Sequence, residues 1–314
     1  MSGNERIQAV NHKILISCLF TEYTEITSNS TMDPGPFQPK QAIDKNVDLY
    51  AEVTANSTKD VAKKVLELLK PLSAGSRIHD NGCGAGEVTE MIMESSLGPP
   101  PHDITIEAND IDQTYLDRFS KTAQSKRWPV NITNMPAQHL AFADDSFDIS
   151  IANFVVFITP EGGIPALREM RRTLKDGGTA VFTAWARLPH VDCANAGHAA
   201  TRDTGAPPLR EIPPEWWLGS HLRSVAVQAG FAEDKIELRT AKVYITYPDA
   251  GRLANVIWSY LGVPVTGWLE QDGAKWDVAR AAVLETFKTC DDFELMDDGG
   301  VRATLTANIL IARK

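Results

Sequence analysis

Apolar and polar positions change their spacing along this 314-residue chain, and each spacing predicts a different kind of element. Between Arg77 and about Ala186, short apolar runs alternate with segments in which apolar residues recur at helical spacing. Such alternation predicts a parallel sheet wrapped by helices. The predicted strands are Ser76–His79, Ile104–Asn109, Val130–Asn134, Phe147–Phe154 and Thr179–Trp185, and the predicted helices are Val88–Ser96, Gln113–Lys126 and Ile164–Leu174.

The flanking segments are predicted from the same rules. Val61, Val65 and Leu68 follow helical spacing, and either Ser57 or Thr58 is predicted to cap that helix. After Trp185 the pattern breaks, so 188–214 is predicted to be a long loop of the kind that is functional or disordered. Further predicted elements are the helices Glu215–Gly230, Ala250–Leu261 and Lys275–Lys288 and the strands Lys235–Thr246 and Val301–Ile311.

A turn with three alternate glycines, Asp80-Asn81-Gly82-Cys83-Gly84-Ala85-Gly86, follows the first predicted strand. Glycine lets a ligand lie directly against the backbone, and the N–H groups of the next helix favour polar or anionic ligand atoms. The phosphate loop of nucleotide triphosphatases is excluded because no Gly-Lys-Ser/Thr ending follows, and a dinucleotide fold requires a third glycine where this chain has Glu87. An ordinary glycine turn remains the alternative.

Asp110 stands at the end of the second predicted strand, some two dozen residues after the glycine turn. A carboxylate in that place can accept hydrogen bonds from both hydroxyls of a ribose. The alternative role is a cap of the helix that begins near Gln113, and the two roles are compatible.

Taken with the apolar strand before it, the glycine turn resembles motif I of the class I S-adenosylmethionine-dependent methyltransferases. Asp110 and Ile111 resemble motif II, in which the acid holds the ribose and the apolar residue covers the adenine. Residues 137–148 resemble motif III of the ubiquinone-biosynthesis-like branch, and the whole chain resembles fungal small-molecule methyltransferases of secondary metabolism. One position departs from the family: Pro136 replaces the acid that usually binds the adenine amino group, so backbone at Ala137 and the side chain of Gln138 would have to serve instead.

The resemblance implies an α/β fold with a Rossmann-like, doubly wound, mostly parallel sheet, an antiparallel last strand and helical lid or insertion segments. Residues 1–45 are predicted to form an N-terminal arm and 46–314 a single methyltransferase domain. Within that domain we distinguish a cofactor-binding core at 46–186, a loop and lid region at 187–234, and C-terminal strands with a helical insertion at 235–314.

The resemblance also implies S-adenosylmethionine as methyl donor and S-adenosylhomocysteine as product. In the family, the backbone at the end of strand four, here Asn153-Phe154, lies along the methionine part of the cofactor. The predicted cofactor-binding residues are Asp80, Gly82, Cys83, Gly84, Gly86, Asp110, Ile111, Ala137, Gln138, Asn153 and Phe154.

Methyl transfer from a sulfonium is an in-line displacement in which the protein mainly positions the acceptor and excludes water. A hydroxyl or ammonium acceptor also loses a proton, so a histidine base is useful. The candidate bases are His190, His198 and His221, of which at most one acts and each has a surface or capping role as its alternative. The candidate substrate-binding residues are Trp216, Trp217, Tyr244 and Trp258, with core packing as the alternative for Tyr244 and Trp258 and a lid predicted for Trp216-Trp217.

Composition excludes other classes of function. The 31 basic and 41 acidic residues give a formal charge of -10, which disfavours nucleic acid and anionic membranes as partners. The four cysteines are widely separated, so they indicate no disulfide framework and no metal site, and the chain has neither an export signal nor a membrane span. We therefore expect a cytoplasmic protein; its oligomeric state is open.

The interpretation is an enzyme that methylates an O, N or S atom of a small hydrophobic metabolite. The alternatives are a cofactor-binding regulator, a non-methylating catalyst on the same fold, and a protein methyltransferase. Fold alone does not separate them.

Overall fold

The computed structural model describes residues 37–94, 100 and 102–314. Most of the predicted N-terminal arm therefore lies outside the described residues. The strands are β1 (Arg77–Asn81), β2 (Thr105–Asp110), β3 (Val130–Asn134), β4 (Phe147–Ala152), β5 (Leu174–Arg187), β6 (Ile236–Tyr247), β7 (Phe293–Leu295) and β8 (Val301–Arg313). The α-helices are α1 (Val47–Thr54), α2 (Ser57–Leu68), α3 (Glu87–Met93), α4 (Gln113–Lys126), α5 (Ile164–Thr173), α6 (His190–Thr201), α7 (Gly219–Gln228), α8 (Ala250–Leu261), α9 (Glu270–Ala274) and α10 (Trp276–Thr289).

The sheet confirms the predicted fold class. Seven of its eight strands follow the order β3-β2-β1-β4-β5-β8-β6, with β7 off this path. The pairs β1–β2, β2–β3, β1–β4 and β4–β5 are parallel, whereas β5 and β8 are antiparallel. Because β1 lies between β2 and β4, the strand order reverses direction beside β1, and ligands of doubly wound sheets bind at such a reversal, outside the carboxyl ends of the strands.

Apolar side chains cover both faces of the central strands. On one face, Ile78, Ile106 and Ile151 are buried together with Val65 of α2 and Val88 of α3. The opposite cluster contains residues of α5, α7 and β8, among them Leu167, Leu222 and Leu310. Because both faces of these strands are buried, their sequences are continuous apolar runs and do not alternate between apolar and polar residues.

Capping residues set several helix boundaries. Asp112 accepts a hydrogen bond from the Thr114 N–H, and Asp249 accepts one from the Arg252 N–H, so α4 and α8 begin where the sequence predicts. The predicted cap of α2 is wrong: Ser57 is the first residue of that helix, and Asn56 before it makes no side-chain capping bond.

The predicted loop at 188–214 is wrong over its first half, because His190–Thr201 is the helix α6. Alanine, the residue with the highest helix propensity, occupies four positions of this segment. Most of its buried positions hold small residues such as Cys193, Ala194 and Gly197, and Gly197 lies against the ring of Trp258. A helix that buries small side chains lacks the large apolar periodicity from which helices are predicted.

The described chain clusters into two compact units. The sheet unit comprises Tyr50–Pro189, Ile212–Thr246 and Arg302–Lys314, and the helical unit comprises residues 37–49, His190–Glu211 and Tyr247–Val301. The core of the helical unit contains Trp258, Trp276 and Ala279.

The described residues contain neither a helix that could span a membrane nor a cluster that could bind a metal ion. No helix within 37–94 and 102–314 combines the length and the apolar character that a bilayer span requires. In the same part of the chain, no group of three or more His, Cys, Asp or Glu side chains could hold a metal ion.

Candidate functional site

The glycine turn between β1 and α3 has left-handed backbone at Gly82, Gly84 and Gly86. A Cβ atom on Gly82 would overlap Val155, and one on Gly86 would overlap the ring of Phe119. Gly84 differs, because the nearest atom to its ideal Cβ is the flexible carboxylate of Glu87 at 3.3 Å. Gly82 and Gly86 are therefore required for packing, whereas beside Gly84 an added Cβ would meet only a carboxylate that can move.

Asp110 holds the turn from the end of β2. Its Oδ2 accepts a hydrogen bond of 2.9 Å from the Gly84 N–H, and its Oδ1 accepts one of 2.9 Å from the Asp112 N–H. Burial raises the pKa of the Asp110 carboxyl, and these two N–H groups oppose the shift. Ile111, the next residue, is 71% exposed, which leaves a large apolar side chain at the sheet edge without protein cover. The structure thus brings the glycine turn and the motif II residues together.

A second carboxyl group, Asp80, lies beneath the turn. It is buried, and its Oδ2 accepts hydrogen bonds from the N–H and the hydroxyl of Thr89, at 3.2 and 2.8 Å. Burial raises the pKa of Asp80 to about 7, and the negative charges of Glu87 and Asp110 add to the shift. Burial also raises the pKa of Glu87. Three carboxyl groups close enough to repel one another therefore surround the turn, an arrangement that favours a cationic ligand.

The predicted adenine segment is anchored on two sides. The Met135 N–H donates to the Asp110 carbonyl over 3.0 Å, and Arg172 of α5 donates to the Leu140 carbonyl over 3.0 Å. Within the segment, Ala137 is buried and Gln138 is half-buried.

Arg172 and its partner Glu169 were not among the predicted site residues. The Glu169 carboxylate accepts a hydrogen bond of 2.9 Å from the Leu140 N–H. Arg172 also donates to Glu169, to the Phe142 carbonyl and to Asp144. The only sequence signal for these contacts of Arg172 and Glu169 is an acidic and a basic residue three positions apart on one helix, a spacing that is common on exposed helices.

At the end of β4, a chain of hydrogen bonds fixes Asn153 and Phe154. The Thr183 hydroxyl donates to Asn153 Oδ1 and accepts from the Phe154 N–H, each over 2.9 Å, while Asn153 Nδ2 donates to the Thr58 carbonyl over 3.1 Å. Phe154 has a φ of 61°, a strained conformation for a bulky residue. Such strain clusters at functional sites.

Phe154 also stacks on Trp185 of β5, with ring centroids 4.1 Å apart and planes inclined by 21°. Trp185 was not among the predicted site residues. Its position at the carboxyl end of a predicted parallel strand was the signal that could have identified it.

The three candidate bases lie in different surroundings. His190 is buried in the helical unit, its Nε2 lies 3.0 Å from the Tyr247 hydroxyl, and burial lowers its pKa to about 4. His198, on the same helix, has Nδ1 2.9 Å from the Arg202 guanidinium, and its pKa is lowered by burial and by that charge. His221 belongs to the sheet unit and packs edge-on against Trp216. The catalytic role of all three stays a prediction.

The four candidate substrate residues are not gathered within one unit either. Trp258 is fully buried in the helical unit, whereas Tyr244 is 59% exposed on β6 of the sheet unit. Trp216 is buried in the sheet unit with Phe157 beside it, so its side chain is not an exposed lid. Trp217 is half-buried, and its carbonyl accepts from Asn308.

Comparison with known proteins agrees with this geometry. Residues 79–182, from the first strand through the fifth, match the family model of a methyltransferase domain. No curated protein sequence matches the chain significantly.

Among solved structures, the chain is similar to a putative methyltransferase from Bacillus halodurans, with a TM-score of 0.52, 14% identity, and coverage of 82% of this chain and 99% of the other. It is also similar to the YcgJ protein from Bacillus subtilis, with a TM-score of 0.50, 17% identity, and coverage of 82% and 98%. At such identities these two structures establish the fold alone. The domain match and the arrangement of the motifs agree that residues 79–182 form a methyltransferase domain, an enzyme domain whose methyl donor is S-adenosylmethionine.

Proposed function

We propose that this enzyme transfers the methyl group of S-adenosylmethionine to an O, N or S atom of a small hydrophobic metabolite. The observation that supports the donor site best is the group of three carboxyls around the glycine turn, of which Asp80 is buried and Glu87 and Asp110 are half-buried. S-adenosylmethionine carries a sulfonium and an ammonium group, so it would compensate negative charges that repel one another around this turn.

In the proposed binding mode, the ribose hydroxyls donate to the Asp110 carboxylate. Each of its oxygens already accepts one N–H and has a lone pair left for a ligand. Ile111 covers one face of the adenine, and Ala137 and Gln138 meet its polar edge. The remaining predicted cofactor residues line the methionine part: Asp80, Gly82, Cys83, Gly84, Gly86, Asn153 and Phe154.

In the transfer step, a lone pair of the acceptor atom attacks the methyl carbon, the new bond forms as the carbon–sulfur bond breaks, and the electron pair of that bond stays on sulfur. The positive charge of the sulfonium is lost, and the proton of a hydroxyl or ammonium acceptor passes to a base or to water. The candidate bases for that proton are His190, His198 and His221. At most one histidine acts in this way.

A hydrophobic acceptor is supported by the stacked pair Phe154 and Trp185, which supplies aromatic surface at the carboxyl ends of β4 and β5. We propose that segments beyond residue 187 supply the other contacts to the acceptor. We also propose that residues 46–314 form one methyltransferase domain. A cytoplasmic location and a role in secondary metabolism belong to the same proposal and rest on the cysteine pattern and on the resemblance.

Replacing Gly84 with alanine should weaken binding of S-adenosylhomocysteine about 10-fold, because a methyl group would occupy the space where the ligand approaches the backbone. Gly177 is the matched control, since it has a φ of 76° against 53° for Gly84 and its added Cβ would meet nothing within 4 Å. Both variants should lose a similar ~1 kcal/mol of unfolding free energy from the left-handed alanine. Calorimetric titration would contradict the proposed site if Gly177→Ala weakened binding as much as Gly84→Ala.

Cofactor affinity should depend on pH through Asp80. Its pKa is about 7, and the ammonium group of the ligand favours the ionised form, so binding releases a proton. The affinity for S-adenosylhomocysteine should therefore rise between about pH 5 and pH 8, by at most about tenfold per pH unit.

The variant Asp80→Asn isolates this effect and should bind more weakly with a flatter pH profile. A pKa raised above the unfolded value also means that the contribution of Asp80 to stability is present at acid pH and is lost as pH rises through about 7. Asp80→Asn should therefore raise the free energy of unfolding at pH 8, measured without added ligand. A pH profile unchanged by this substitution would rule out Asp80 as the group responsible.

The acceptor can be identified directly. The enzyme is incubated with S-adenosylmethionine labelled in its methyl group and an extract of the producing cell, and mass spectrometry finds which molecule gains the label. A labelled small molecule supports the proposal, whereas a labelled protein supports a protein methyltransferase. Cofactor binding with no labelled product at all would favour a regulator or a non-methylating catalyst.

A further inference from the structure

Four buried polar side chains form a hydrogen-bonded chain across three strands of the sheet unit. They are His79 and Asn81 of β1, Asn109 of β2 and Ser150 of β4, and we call them the buried polar chain. His79 Nδ1 lies 2.9 Å from Ser150 Oγ, and His79 Nε2 lies 2.7 Å from Asn109 Oδ1. Asn109 Nδ2 donates to Asn81 Oδ1 over 3.1 Å.

The carbonyl of Met135 determines the direction of every hydrogen bond in this chain. Asn109 Nδ2 lies 3.0 Å from that carbonyl oxygen, which can only accept, so the Asn109 amide nitrogen must face it and the amide oxygen must face His79. His79 then donates from Nε2 and accepts at Nδ1 from the Ser150 hydroxyl. Burial lowers the pKa of His79 to about 4, so the ring is neutral at pH 7 and retains this tautomer.

The amide group of Asn81 is left with unused donors as a result. Its Oδ1 accepts from Asn109, so the amide cannot rotate by half a turn without bringing two NH2 groups together. Asn81 Nδ2 is fully buried and has no hydrogen-bond partner among the described residues. Buried donors are nearly always paired, so an unpaired one indicates a missing acceptor.

The position of Asn81 indicates where that acceptor would come from. Asn81 is the last residue of β1 and directly precedes Gly82 of the glycine turn. The buried polar chain also reaches the segment proposed to face the adenine, because Met135 accepts from Asn109 and precedes Pro136 and Ala137. In the proposed binding mode, the cofactor lies over the glycine turn that follows Asn81 and along the segment that follows Met135.

We propose that Asn81 Nδ2 donates a hydrogen bond to a ring nitrogen of the cofactor adenine, with Asn109 and His79 as positioning residues that orient the amide. The inference rests on the proposed function, since it requires S-adenosylmethionine at the glycine turn. The ring nitrogens N1, N3 and N7 of adenine carry no proton and can only accept hydrogen bonds. Each is therefore a suitable partner for the Asn81 amide nitrogen, which can only donate and is held in one orientation by Asn109. Such a contact would supply adenine recognition in a chain that has Pro136 in place of an acid.

The test compares S-adenosylhomocysteine with its 1-deaza, 3-deaza and 7-deaza analogues, in each of which one ring nitrogen is replaced by C–H. Calorimetry measures the affinity of all four ligands for the wild-type enzyme and for Asn81→Leu, which keeps the side-chain shape. We expect one analogue to bind the wild type about 10-fold more weakly than the parent. That penalty should vanish in Asn81→Leu, while penalties at other ring positions persist.

Ser150→Ala is the control, because it shortens the buried polar chain at the end remote from Asn81. It should lower the melting temperature and leave the discrimination between analogues intact. Asn81→Ala replaces Asn81→Leu if the leucine variant does not fold. The inference is overturned if the wild type binds all three analogues as tightly as the parent, or if the Asn81 variants retain every penalty. A wild type that does not bind the parent ligand overturns the proposed function itself.

Discussion

Replacing Arg202 with methionine is expected to lower the free energy of unfolding by about 3–5 kcal/mol, because it leaves a buried aspartate without its counter-ion. Arg202 donates from Nε and Nη2 to the two oxygens of Asp272, at 3.0 and 2.9 Å, and the side chains of both residues are fully buried. Nη2 also donates to the Gly262 carbonyl, and the guanidinium carbon lies 4.9 Å from the ring centroid of Trp258.

The reciprocal variant Asp272→Leu should be destabilised by a similar ~3–5 kcal/mol, since it leaves a buried cation unpaired. The double variant should recover part of the loss, because neither charge then remains in the apolar interior. Recovery will be incomplete, as Asp272 also accepts from the Leu269 N–H at the start of α9. Denaturant unfolding followed by tryptophan fluorescence suits the measurement, given that Trp258, Trp268 and Trp276 all lie in the helical unit.

Lys288→Met is the control for a surface ion pair. Lys288 lies 2.8 Å from Glu285, but both side chains are more than half exposed, so the change should alter stability by at most ~0.5 kcal/mol. A loss in Arg202→Met as small as the loss in Lys288→Met would mean that water reaches the Asp272 carboxylate after the substitution.

Replacing Asp110 with alanine is expected to weaken binding of S-adenosylhomocysteine about 100-fold, equivalent to ~2.7 kcal/mol, because two hydroxyl donors lose a charged acceptor. The substitution also frees the Gly84 N–H, which Asp110 Oδ2 now holds at 2.9 Å. Asp110→Asn retains one acceptor oxygen and should show an intermediate loss of about 10-fold. Calorimetric titration of the two variants gives both values.

Asp112→Ala controls for local damage to the same turn. Asp112 caps α4 through the Thr114 N–H at 2.8 Å, so its removal should reduce stability by ~1 kcal/mol and leave ligand affinity nearly unchanged. Wild-type affinity in Asp110→Ala would disprove the ribose contact. Equal loss of affinity in Asp112→Ala would show that the shape of the turn, and not the Asp110 carboxylate, determines binding.

Elements with strong local signals were predictable residue by residue. The bounds of α4 and α8 agree with prediction because both helices combine apolar periodicity with an aspartate cap, and β3 agrees because turn residues flank a short extended run. The helix α6 was missed because most of its buried face consists of small residues, of which Gly197 packs against Trp258, a partner far away in the sequence. Periodicity records which positions are apolar, but it does not record how large a side chain the neighbouring element can accommodate.

The candidate site divides in the same way. The sequence was enough to associate the glycine turn with Asp110. Each is recognised from a short segment of characteristic residues, and parallel strands end at the same edge of a sheet. Only the tertiary structure decided the orientation of the Asn81 amide, the pairing of Arg202 with Asp272, and the stacking of Phe154 on Trp185. In the first case the contacting residues, Asn81 and Asn109, are 28 positions apart in the sequence, and in the second case Arg202 and Asp272 are 70 positions apart. Their energies depend on burial and on the direction of individual hydrogen bonds, quantities that exist only once the strands and helices have packed.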